Sequence, residues 1–190
     1  MKKILLSWIL LSVFSIVYAD NNATFLYDGG DDALFVDKNT LYVSVTDEVT
    51  GGCLPRPKQL KASMEKALKN HGFKIVENLK NPFIPEVKIS TLGFRVNGMC
   101  AVEMSADIYF PIKVIVPNAI NVPGGNKTYV TYTYDVGSYI GNFRRHQMQN
   151  KLQQIARKFS DRIYMKVSKA KDSIYTNFPS LQEEVKKNSK

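Results

Sequence analysis

The side chains that could do chemistry in this chain are few and stand far apart. Among its 190 residues there are two histidines, His71 and His146, and two cysteines, Cys53 and Cys100. Each histidine falls at one end of a predicted helix, where a solvated residue is more common than a metal ligand or a general base. No third thiol and no pair of neighbouring histidines accompanies the cysteines, so the spacing predicts no metal site. The acidic run at 28–32 lacks the alternate acids and closing glutamate of a calcium loop, and we predict a turn there.

No motif in the sequence indicates catalysis. A Ser/His/Asp or Cys/His arrangement could be assembled only by free choice among the serines. The glycine pairs at 51–52 and 124–125 lack the strand-glycine-helix context of phosphate-binding loops. Paired carboxylates for hydrolysis need no sequence signature, so Glu103 and Asp107 remain candidates for the active site of a hydrolase. We therefore predict no cofactor and favour a protein without catalytic activity, with a hydrolase of a wall polymer or exported substrate as the alternative.

The N-terminal 19 residues have the pattern of a cleavable secretory signal. Lys2 and Lys3 precede an apolar run, and Ala19 precedes the predicted cleavage site. The mature chain would begin at Asp20 and contain 171 residues, enough for one domain with a sizeable core. Its lysine-rich, cysteine-poor composition favours a bacterial periplasmic protein, with full secretion as the alternative.

Predicted export also decides how the two cysteines are interpreted. Disulfides form and persist in oxidising compartments, so we predict that Cys53 and Cys100 are joined. On the chain-entropy estimate this bridge would stabilise the fold by roughly 3–4 kcal/mol. The alternative is two buried free thiols.

The chain is organised around a predicted β-hairpin between Pro85 and Val116. The Asn-Gly pair at 97–98 is the strongest short-range hairpin signal, because a type I′ turn needs positive φ at both central residues. A two-residue turn places Val96 opposite Met99 and gives both strands one core-facing side. The other side is polar far from the turn and apolar near it.

The apolar residues on that outer side form a surface that we call the tip patch: Leu92, Phe94, Val96 and Met99. An exposed apolar patch of this kind marks an interaction site unless another segment covers it. The covering segment could be a predicted short strand at 24–27 or the loop after Pro117. If neither covers it, the tip patch is a partner-binding surface.

The C-terminal quarter is strongly basic, since residues 144–190 hold 12 Lys and Arg against 4 Asp and Glu. Its longest predicted helix has an apolar stripe from Met148 to Ile174 at spacings of three and four. Outside the stripe lie six candidate anion-binding residues: Arg144, Arg145, Lys151, Arg157, Lys158 and Arg162. They are either the solvated face of a core helix or a contact for phospholipid headgroups, lipopolysaccharide, acidic cell-wall polymers or an acidic protein. Nucleic acid is not predicted as a partner, because no aromatic residues suited to base stacking are interleaved with them.

The element order predicted from these patterns is strand, helix, strand, three antiparallel strands and helix. Strands at 41–45 and 73–76 flank a helix that ends at Gly72, and a strand at 128–139 follows the hairpin. We predict that Gly141 and Asn142 end the sheet and that Asn142 caps the long helix. The pattern favours an α+β two-layer sandwich, in which a mixed sheet of about five strands packs against two amphipathic helices.

We expect three parts in the chain: a signal peptide at 1–19, one α+β domain at 20–178, and a short C-terminal helix with a basic tail at 179–190. The element order is similar to that of small α+β domains in periplasmic accessory proteins that help to assemble envelope machinery. The similarity lies at the level of the fold, which does not determine function. It implies an adaptor or assembly factor that binds an envelope protein or an anionic envelope component, with a toxin inhibitor or immunity protein as a variant.

Overall fold

A computed structural model describes residues 32–36, 38–115 and 127–180, all within the compact unit Asp31–Lys190. This part of the chain forms three helices and five strands. In chain order they are α1 (Asp32–Phe35), β1 (Thr40–Val49), α2 (Lys58–Asn70), β2 (Lys74–Val76), β3 (Glu86–Val96), β4 (Met99–Ile115), β5 (Lys127–Arg144) and α3 (Arg145–Asn177).

The five strands form one mixed sheet in the order β2-β1-β3-β4-β5. β1 runs parallel to both of its neighbours, whereas β3, β4 and β5 are antiparallel in succession. The strand-helix-strand unit at the start therefore places β1 and β2 side by side, as the sequence predicts. The fold class is α+β, with a five-stranded mixed sheet and two long helices.

The core lies between one face of the sheet, which we call the inner face, and helices α2 and α3. Leu60, Met64 and Leu68 are the buried residues of α2. Of the stripe predicted on α3, Ile155 is half-buried and the following are buried: Met148, Leu152, Phe159, Ile163, Val167, Ala170 and Ile174. The helical phase read from the sequence is therefore confirmed.

The predicted register of the hairpin is confirmed along its whole length. Val96 pairs with Met99, and the pairing continues to Glu86 opposite Tyr109. Asn97 and Gly98 have φ values of 48° and 80°, as a turn with two left-handed residues requires. Pro111 lies beyond the last residue of β4 that pairs with β3, and it pairs only with β5. Proline has no backbone N–H to donate, and it is tolerated here because β4 is an edge strand on its β3 side at this point.

The predicted end of the sheet is wrong. β5 continues through Gly141 and Asn142 to Arg144, and α3 begins at Arg145 without a side-chain cap. A glycine is required inside the strand because the rings of Tyr139 and Phe143 stack above Gly141. A Cβ atom at this position would lie 2.5–2.6 Å from the two rings.

Two further details differ from, or lie beyond, the sequence-based expectation. Asp32 begins the short helix α1, so the turn predicted at 28–32 does not extend to it. The predicted strand at 24–27, the residues of the predicted loop up to 126, and the C-terminal segment from 181 lie outside the described residues. None of the helices in the described part of the chain is long and apolar enough to cross a membrane.

Candidate functional site

The tip patch lies on the outer face of the sheet, opposite the helices. Its exposed fractions are 55% for Leu92, 56% for Phe94, 48% for Val96 and 37% for Met99. Alternate residues of a strand point to the same face, and the two-residue turn brings Val96 and Met99 directly opposite each other. The four side chains therefore form one continuous apolar surface at the end of the hairpin.

The inner face of the hairpin tip is held by the loop that follows β1. Cys53 and Cys100 are fully buried and form a disulfide with a Cα–Cα distance of 5.7 Å, as the sequence predicts. The Thr50 backbone N–H donates a 2.9 Å hydrogen bond to the Gly93 carbonyl oxygen. Gly51 approaches so closely that a Cβ atom there would lie 2.7 Å from Cβ of Arg95. These contacts hold the inner face of the hairpin tip against the loop after β1, while the tip patch on the outer face stays exposed.

Away from the turn the outer face is polar, and it carries two neighbouring carboxylates, those of Asp107 and Asp135. Asp107 of β4 lies between Lys88 of β3 and Asp135 of β5 in the strand register. Partial burial raises the pKa of the Asp107 carboxyl above its ordinary value, and the Asp135 carboxylate raises it further. The Lys88 ammonium acts in the opposite direction and lowers this pKa.

The placement of the two candidate carboxylates, Glu103 and Asp107, does not match that of a glycoside hydrolase. Glu103 and Asp107 are four residues apart on one strand, so their Cα atoms are about 13 Å apart and their side chains stand roughly perpendicular to the sheet. Carboxylates that cleave glycosides stand no more than about 9.5 Å apart. Asp107 and Asp135 are closer, but they lie on an open sheet face. Three shallow cavities lined by described residues hold one carboxylate among them, that of Glu86.

The six basic residues predicted as an anion-binding set are all exposed, but they do not form one surface. At 100° per residue, Lys151, Lys158 and Arg162 fall within a sector of about 40° on α3. Arg157 lies on the other side of the helix, at a cavity that it shares with Lys66 of α2. Only part of the predicted set therefore forms a common row.

Two of these arginines contact the fold itself. Arg145 donates a 2.9 Å hydrogen bond from Nε to the Gly52 carbonyl oxygen. The Arg162 guanidinium lies 5.7 Å from the ring centroid of Phe159, and its Nη1 donates to the Val136 carbonyl oxygen. These contacts within the chain explain the positions of both side chains, and no binding partner is needed to explain them. The cations more available to bind an anion are therefore Lys151, Lys158, Arg157 and Arg144.

Neither histidine lies in a catalytic arrangement among the described residues. His71 Nε2 is 2.8 Å from Oδ1 of Asp161, and its ring stacks on Tyr164 with a centroid distance of 4.5 Å. His146 is exposed in the first turn of α3. Within the described ranges no group of three or more His, Cys, Asp or Glu side chains could hold a metal ion.

Sequence reasoning missed two residues of the outer face. Asp135 faces Asp107 across strands, and Ile140 is 77% exposed on β5. The signal for Ile140 was present, since it alternates with Tyr139 and Gly141. Reading Gly141 as the end of the sheet concealed it.

Comparison with protein-family models and with curated protein sequences finds no match. A solved structure described as the crystal structure of an uncharacterized protein matches with 14% sequence identity and a TM-score of 0.35. The match covers 68% of this chain and 92% of that chain.

Proposed function

We propose that this chain is an exported, non-catalytic protein of the bacterial cell envelope that binds a protein partner through the tip patch. The role would be that of an adaptor or an assembly accessory factor. The observation that carries the proposal is the exposure of four neighbouring apolar side chains on the outer face of the hairpin. Burial of such a surface against a partner removes apolar area from water and so stabilises the complex.

The contacts that hold the inner face of the hairpin tip support the same role. The Cys53–Cys100 disulfide and the Thr50 hydrogen bond hold the tip in one conformation before a partner arrives. Less conformational entropy is then lost on binding, so more of the contact energy is available as affinity. Export is supported by the N-terminal signal pattern and by the disulfide, which is typical of oxidising compartments.

A contact with an anionic envelope component is a second candidate. The exposed cations Lys151 and Lys158 are two turns apart on the same side of α3. Electrostatic attraction through these two cations would hold the protein near acidic polymers or lipid headgroups, and it would weaken as salt is added. An inhibitor or immunity protein would use the tip patch in the same way as an adaptor.

The experiment is a pull-down of periplasmic material with the tagged mature chain. Phe94→Asp places a charge in the centre of the tip patch and should abolish capture of the specific partner while the protein stays folded. Met165→Asp is the matched control, because Met165 is 50% exposed on α3 and far from the hairpin in the sequence. A Phe94→Asp protein that captures the same partner as the Met165→Asp protein would contradict the proposal.

A further inference from the structure

β5 is the outermost strand of the sheet, and one of its edges has no neighbouring strand in the described part of the chain. Natural proteins protect such edges with lysine, proline, bulges or very short strands, because free N–H and C=O groups pair readily with another strand. β5 is 18 residues long, and from Thr131 to Phe143 it contains no Lys, Arg or Pro. Its irregularity is a bulge near Gly137, where φ is 143°.

The sequence of this edge is complementary to itself. We propose that β5 of one copy pairs antiparallel with β5 of a second copy, about a two-fold axis through Ile140. Closed two-fold interfaces of this kind are the commonest in soluble homo-oligomers. Counting outward from Ile140 opposite Ile140, each residue meets the following partners in the second copy: Tyr139 meets Gly141, Ser138 meets Asn142, Gly137 meets Phe143, and Asp135 meets Arg144.

The last of these pairs follows from the bulge. On the β4 side, successive residues Ala106 and Asp107 pair with Gly137 and Asp135, so Val136 is the extra residue. The same offset on the free edge brings Asp135 opposite Arg144 of the second copy. Both side chains point to the outer face, because Asp135 pairs with Asp107 and Arg144 with Met99. The dimer therefore contains two identical Asp135–Arg144 ion pairs.

Other registers lose this complementarity. A two-fold axis at Tyr139 places Arg144 opposite Thr133, and an axis at Gly141 places it opposite Ser138. An axis between two residues would pair an outward side chain with an inward one, which the two-residue period of a strand forbids. Ile140 is also explained by the proposed register, since its 77% exposed side chain becomes half of an apolar pair at the axis.

Antiparallel pairing of the two edges joins the two sheets into one sheet of ten strands. Residues opposite each other share a face, so both tip patches open on the same side of that sheet. The dimer would present two partner-binding surfaces at once, which raises apparent affinity for a repeated partner.

Two cations of each copy lie near the proposed interface and could repel those of the other copy. They are Lys158 and Arg162, which share one side of α3, and Arg162 contacts the Val136 carbonyl oxygen of β5. Salt at about 0.15 M screens repulsion between such exposed charges beyond roughly 8 Å.

The first test is a charge swap, measured by sedimentation equilibrium on the mature chain at about 0.15 M salt. The wild type should sediment as a dimer. Arg144→Asp and Asp135→Arg each replace two attractions with two repulsions and should raise the dissociation constant at least about tenfold. The double variant restores both pairs with reversed polarity and should return to within about threefold of wild type. Arg157→Asp is the matched control, because Arg157 is exposed on α3 away from β5, and it should dimerise as wild type does.

The second test is disulfide cross-linking, which reports the position of the axis. Facing Cα atoms in an antiparallel pair are about 4.5–5.5 Å apart, within the range that a disulfide spans. Ile140→Cys should therefore form a covalent dimer under mild oxidation. Ser138→Cys should not, because the two copies of residue 138 would be four residues, about 13 Å, apart. A monomeric wild type, a double variant as weak as the single ones, or a Ser138→Cys dimer without an Ile140→Cys dimer would overturn the proposal.

Discussion

Replacing Phe159 with alanine should remove a large part of the stability of the fold. The side chain is 2% exposed and lies in the core beneath the sheet, where it approaches Gly137 of β5. Truncation loses the transfer free energy of the ring and leaves a cavity that the packed surroundings fill only partly. The free energy of unfolding should fall by about 3–5 kcal/mol. Domains of this size are stable by only about 5–15 kcal/mol.

Urea unfolding followed by far-UV circular dichroism measures this change, with the disulfide intact in both proteins. The midpoint should fall while the slope stays constant, since the surface exposed on unfolding hardly changes. A loss of this size also corresponds to a decrease in melting temperature of about 6–20 °C. Lys158→Ala is the control one position away, because Lys158 is exposed. It should change stability by no more than about 0.5 kcal/mol. Equal effects of the two substitutions would mean that the helical phase of α3 is wrong.

Three further predictions concern the disulfide, a perturbed carboxyl and the N-terminus. Thiol labelling of the denatured, unreduced protein should find no free cysteine, and Cys53→Ser with Cys100→Ser should destabilise the fold by roughly 3–4 kcal/mol; two labels per chain in unreduced protein would refute the bridge. The pKa of Asp107 is higher in the folded state than in the unfolded state. At pH values between these two pKa values the folded state binds more protons, so the free energy of unfolding falls as pH rises through that window. Asp107→Asn should therefore be more favourable for stability at pH 7 than at about pH 3, and an equal effect at both pH values would count against it. N-terminal sequencing of exported material should begin at Asp20, and an intact Met1 would defeat the signal prediction.

Local patterns in the sequence predicted the parts of the fold that local physics determines. The Asn97-Gly98 turn sets the hairpin register by itself, and the stripe of α3 repeats over so many turns that its buried face is unambiguous. The Cys53–Cys100 bridge was predicted from the presence of two cysteines in a chain whose N-terminal pattern predicts export. The outer position of the tip patch follows from the register, so the sequence alone defines its members.

The remaining features depend on contacts between distant residues. Gly141 resembles a strand terminator, yet it stays in β5 because rings two residues away on either side occupy the space above it. The basic residues look equivalent along the sequence, but Arg162 contacts β5 and Arg157 faces α2. Asp135 faces Asp107 only because a bulge shifts the register by one residue. No periodicity of a single segment reports such contacts.

The central claim is that the tip patch is the surface at which this protein binds its partner. In-cell photo-cross-linking tests it most directly, with a photoreactive phenylalanine analogue at position 94 and, as the control, at the exposed position 165 of α3. Analogue at position 94 should give a discrete heavier adduct that is larger than a dimer cross-link and is lost when Val96→Asp is added. Analogue at position 165 should give none. Adducts of equal yield at the two positions, or an adduct at position 165 alone, would contradict the account.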